Sequence, residues 1–149
     1  MTMKPSQRAL ELFAANYNCA QSVFAAAGTG EMTEEQRLAV SSAFGGGVAG
    51  QGEVCGALTG ALMALGERNS ATLAADPVEG RRAIEQQAQE LIAGFRAAHG
   101  SVLCHELTGC RLNTDEGKKA YLDRYLRRQL CAGLVAFAAD WVAQTAMMP

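Results

Sequence analysis

The stretch Ala43–Gly66, AFGGGVAGQGEVCGALTGALMALG, decides how the rest of the chain is read. Its first eighteen residues hold Gly45, Gly46, Gly47, Gly50, Gly52, Gly56 and Gly60, seven of the protein's sixteen glycines. Glycine loses more backbone entropy on folding than any other residue, so a cluster this dense needs a reason. Either the chain turns repeatedly through positive φ, or another backbone or a ligand comes very close. Gly45, Gly47 and Gly50 match G-x-G-x-x-G in form. That spacing marks a dinucleotide site only after a strand and inside a βαβ unit. No part of the chain alternates apolar and polar residues for long enough to make such a strand. The loop therefore joins helix to helix, and the chain reads as all-α.

After the loop, a helix is expected from about Val54 to Glu67, with Leu58, Leu62 and Leu65 inward and Gly66 as its stop. Cys55 falls in the first turn of that helix, where free N–H groups and the helix dipole favour a thiolate. Glu53 pulls the other way. Gly56 and Gly60 stand four apart with Ala64 following, a small-residue strip that lets another helix pack closely.

Upstream, Pro5 can start a helix carrying Ala9, Leu10, Phe13 and Tyr17 on one face. Asn16-Tyr17-Asn18 interrupts it, and Asn18 can cap a continuation with Cys19, Val23 and Ala27 aligned. Gly28 and Gly30 close that element, and Thr33 with Gln36 is a capping box for a short helix reaching Phe44. Downstream, Asp76-Pro77 with Glu79 starts a helix marked by Ile84, Ala88, Leu91, Phe95 and Ala98 and closed by Gly100. Residues 101–113 allow one or two turns, broken at Gly109. Thr114 opens a last element carrying Tyr121, Leu122, Tyr125, Leu130, Leu134, Phe137 and Trp141 inward, with Arg124, Arg127 and Arg128 as a solvated basic face. With no internal repeat or linker, the expected architecture is one domain over 1–149, a compact bundle of about five or six helices.

The 149 residues suffice for a proper core. A net charge of -2 without a basic run argues against nucleic acid as a partner. The longest apolar run, Leu130–Ala139, is too short to span a bilayer, and Met1–Arg8 leads into polar residues and not an apolar h-region, so no signal peptide is expected. A soluble, cytoplasmic protein is expected. The charged fraction of 19 % is below the usual quarter, which suggests surface covered by a second copy in a homo-oligomer.

Five cysteines, Cys19, Cys55, Cys104, Cys110 and Cys131, are many for such a chain, and an odd count in a reducing compartment argues against a disulfide scaffold. Cys104, His105 and Cys110 have neither C-x-x-C nor zinc-knuckle spacing, and His99 and His105 are only candidate ligands. Cys131 lies within an apolar run and alone would be read as core. Cys19, like Cys55, falls in a first helical turn.

Asn18-Cys19-Ala20-Gln21, the glycine run ending in Cys55-Gly56-Ala57-Leu58-Thr59-Gly60, Cys104-x-x-Leu107-Thr108-Gly109 and the late Cys131 resemble a bacterial and archaeal family of redox-active proteins named for the pattern C_GCAxxG_C_C. The likeness runs from about residue 8 to 143. The family's four defining cysteines map most naturally to Cys19, Cys55, Cys104 and Cys131, with Cys110 as an extra, or as the fourth in place of Cys131. The resemblance implies a small helical protein whose thiols meet in space. There they bind an iron–sulfur cluster or other metal through Cys19, Cys55, Cys104 and Cys131, or cycle as a disulfide. The function expected is thiol-based redox chemistry or electron transfer with a partner protein or small molecule. The alternative is a dimeric helical binding or scaffold module whose cysteines fill the core.

Overall fold

The computed structural model describes residues 2–145 and is all-α, with no strand among them. Four start signals written in the sequence take effect. Pro5 occupies the first turn of α1 (Pro5–Ala14). Asn18 and Gln21 form a reciprocal capping box on α2 (Cys19–Ala27), and Thr33 with Gln36 does the same for α3 (Glu34–Val40). A 3-10 turn, Ser42–Phe44, follows α3. The glycine loop then leads into α4 (Gly56–Arg68), and a short α5 (Ser70–Ala75) precedes α6 (Pro77–His99). The side chain of Asp76 accepts from the N–H groups of Val78 and Glu79, and Gly100 ends α6 in the left-handed conformation. One short helix, α7 (Cys104–Thr108), comes next, then α8 (Asp115–Asp123), a π turn over Arg127–Cys131, and α9 (Ala132–Gln144).

The described residues thus form nine α-helices where five or six were expected. The last expected element is broken in two, because Arg124 caps α8 and Tyr125 takes φ +52°. The other addition is the short α5, whereas α7 is the turn or two of helix that residues 101–113 allow, ended at Gly109. Gly66 does not stop α4, which runs on to Arg68. None of the described helices is long and apolar enough to cross a membrane.

The core gathers around α2, α4 and α9, with α1 lying across α2 and α9. Val23, Leu58, Leu65, Leu91, Phe95, Val135 and Val142 are fully buried in it. Gly60 has a direct packing role: a Cβ there would sit 2.6 Å from the Ala20 carbonyl oxygen, so the small-residue strip lets α2 ride close on α4. Across α3 and α4, Arg37 and Glu67 form a two-bonded ion pair at 2.8 and 2.9 Å, almost wholly removed from water. The Glu67 carboxylate also accepts from Met32 N–H. The expected inward faces fail in places. Leu10, Leu122 and Tyr125 are exposed, and Arg127 is half-buried instead of solvated.

Candidate functional site

The glycine loop turns through the left-handed region. Gly46, Gly47, Val48, Ala49 and Gly50 have φ between +50° and +73° in unbroken succession. The run is closed by long-reach backbone bonds, from Ala49 N–H to the Ala43 carbonyl at 2.7 Å and from Glu53 N–H to the Gly47 carbonyl at 2.8 Å. Left-handed backbone costs an L-residue about 1–2 kcal/mol, so the cost concentrates on Val48 and Ala49. The loop folds over the start of α7. A Cβ on Gly47 would lie 2.6 Å from Cys104 Cβ. Antiparallel contact between Val54 and Leu103 fixes that approach, with Cys55 N–H donating to the Val102 carbonyl at 2.8 Å and Cys104 N–H to the Glu53 carbonyl at 2.7 Å.

Beneath the loop lies a cavity of about 200 Å³ lined by Cys19, Cys55, Cys104 and Cys131, together with Tyr121 and Arg127. These cysteines come from four places in the chain: the first turn of α2, the cap of α4, the first turn of α7 and the end of the π turn. Cys110 does not line the cavity. It is buried beside it, its thiol donating to the Thr108 carbonyl at 3.5 Å. His99 packs edge-on between Phe95 and Phe137, where burial lowers its pKa, and His105 Nδ1 donates to the Gly52 carbonyl at 2.7 Å. Neither imidazole lines the cavity.

The thiols differ sharply in character. Cys55 caps α4 without a side-chain cap hydrogen bond; the nearby N–H groups of Ala57 and Leu58 favour its thiolate, yet burial outweighs them and pushes it up to about 11. The thiolate expected at this helix start is therefore not favoured, because the side chain is sealed from water. Burial first, then the other thiols, raises Cys104 to about 12. Cys131 moves the opposite way. It is lowered to about 7, chiefly by the neighbouring Cys19 thiol. Tyr121 Oη donates a hydrogen bond to its sulfur at 3.4 Å, and the Arg127 charge adds to both, against the cost of burial. Cys19 is raised well above its ordinary value, chiefly by its closeness to Cys131.

Arg127 is held where this requires it. It donates to the carbonyls of Phe13 and Tyr17, and its guanidinium lies 3.7 Å over the Phe13 ring. Tyr121 and Arg127 are the site residues that sequence reasoning missed. The available signal was spacing: Arg127 precedes Cys131 by four residues, about one helical turn, which puts a cation and a thiol on one face.

A metal or iron–sulfur centre needs several thiolates converging on one point. Among the described residues, no three of His, Cys, Asp and Glu are grouped closely enough to hold one ion. The cavity as described is not a preformed metal or cluster site. All five cysteines are free thiols.

No curated protein and no solved structure matches the chain. A family model described as "Putative redox-active protein (C_GCAxxG_C_C)" matches residues 17–145, and the chain belongs to that redox-active family.

Proposed function

We propose that the protein is a thiol–disulfide oxidoreductase in which Cys131 is the attacking thiolate and Cys19 the resolving thiol. One observation carries this reading: Cys19 and Cys131 line one cavity with Arg127 and with Tyr121, whose hydroxyl donates to the Cys131 sulfur at 3.4 Å. A thiolate is the reactive form, and an attacking thiol serves best when its pKa lies near ambient pH.

In the first step the Cys131 sulfur attacks one sulfur of an acceptor disulfide. A mixed disulfide forms, the acceptor S–S bond breaks, and one acceptor thiolate leaves. Cys131 then carries no charge, so the negative charge that raised Cys19 vanishes. Cys19 next attacks Cys131 Sγ and closes the protein disulfide. The second acceptor sulfur leaves with the Cys19 proton. Two electrons pass from the protein dithiol to the acceptor, which ends as two thiols.

The test is a reaction of reduced protein with hydroxyethyl disulfide, followed by intact-mass analysis. Wild type should close an internal disulfide and retain no adduct. Cys19→Ser should stop at a single mixed disulfide on Cys131, and Cys131→Ser should lose the fast reaction. A Cys131→Ser protein reacting at the wild-type rate would overturn the reading.

A further inference from the structure

Beside the cysteine cavity lies a larger groove of about 450 Å³. Leu10 and Phe13 on α1 form one side, Leu122 and Tyr125 beyond it form the other, and Arg127 and Arg128 lie along the π turn. Tyr121 and Arg127 line both cavities, so one end of the groove rests on the two side chains that hold Cys131. Leu122 and Tyr125 are among the most exposed apolar side chains described, at 69 % and 70 %. Tyr125 is kept there by a left-handed backbone, φ +52°, which an aromatic residue adopts only at a cost.

Charge narrows what fits. The lining holds two arginines and no carboxylate. Arg127 is occupied with the carbonyls of Phe13 and Tyr17, whereas Arg128 is exposed and has no ion-pair partner among the described residues. Apolar and aromatic walls with one or two placed charges are the usual make-up of a small-molecule site.

We propose that this groove seats the electron acceptor, an aromatic disulfide bearing a carboxylate, with its anionic group on Arg128 and its S–S bond presented to the cysteine cavity past Tyr121. This rests on the exchange reaction proposed above, with the same balance: two thiols of the protein become a disulfide, and the acceptor becomes two thiols.

The test compares the fast-phase rate of the reduced protein with bis(carboxynitrophenyl) disulfide against neutral dipyridyl disulfide, each divided by its rate with free cysteine. Wild type should prefer the anionic reagent, and Arg128→Glu should cut that preference about fivefold to tenfold in low salt. Arg81→Glu, a charge reversal on α6, should leave the preference as it is. A preference that is absent, or identical in Arg128→Glu, overturns the groove assignment while Cys131 remains the nucleophile. A fast phase that survives Cys131→Ser instead overturns the exchange reaction itself. A sedimenting dimer that Arg128→Glu dissociates would mean a second copy covers the groove, and overturns the small-molecule assignment.

Discussion

Cys131 is the residue whose surroundings depart furthest from what its neighbours in sequence suggest. It lies within an apolar run, and burial alone would raise its pKa. Three groups reverse that: the Cys19 thiol, the Tyr121 hydroxyl and the Arg127 charge. Each belongs to a different piece of chain, so removing one leaves the others in place. Tyr121→Phe keeps the ring that packs in the cavity and deletes only the hydrogen bond. A hydrogen bond to a charged group contributes about 1.5 kcal/mol, so the midpoint of iodoacetamide labelling at Cys131 should rise by about one pH unit. Labelling rates across pH check this. An unchanged midpoint would mean the hydroxyl does not hold the thiolate. Cys55 shows the converse: a cap position sets N–H groups near its sulfur, yet a residue only 4 % exposed stays a thiol.

At the scale of elements, two irregular segments build the site. The glycine loop covers Cys104 by running left-handed, and Val48 is the β-branched residue caught in that run at φ +63°. Val48 is partly exposed, so it gives up little burial when truncated. Val48→Gly should stabilise the protein by about 1 kcal/mol, the strain released less the extra freedom of the unfolded chain. Urea unfolding checks the sign; a destabilised variant would show that the Val48 side chain is needed for packing. The π turn is the second such segment. Its wider coil sets Arg127 and Cys131 at the cavity wall, and π turns are common at functional sites. The loop's turning was readable because glycine is the residue that needs no excuse for positive φ. The π turn was not: Arg124-Tyr125-Leu126 contains no glycine or proline, so the chain through α8 looked continuous and Leu122 and Tyr125 were placed inward.

Over the whole molecule, local chemistry was legible and distant contact was not. Pro5 marks its helix start through its fixed φ, and Asn18, Thr33 and Asp76 mark theirs through bonds spanning two or three residues. Arg127 meets Phe13 across a separation of 114 residues, and Arg37 meets Glu67 across 30, so no window of sequence contains either pair. The four lining cysteines were legible as a set through the family pattern, but their division into one thiolate and three thiols depends on burial and on which groups the fold sets beside each sulfur. That division has a global consequence for stability. The folded protein releases the Cys131 proton near 7, while an ordinary thiol holds it to 9.0. Between those values the unfolded chain binds the extra proton, so stability rises with pH; the gain is complete above 9 and lost as pH falls through 7. Cys55 and Cys104 titrate near 11 and 12, and Cys19 is also raised, so above 9.0 the unfolded chain sheds protons that the fold keeps, and stability declines. Urea unfolding of the reduced protein should therefore peak near pH 9.0, and Cys131→Ser should lose the rising limb. A flat profile in that window would contradict the thiolate. The most direct measurement of all is peptide mapping after mild oxidation of the reduced protein with oxidised glutathione. The account predicts one intramolecular crosslink, Cys19 to Cys131, reversed by dithiothreitol. A crosslink between other cysteines, or none with both thiols still free, would contradict it.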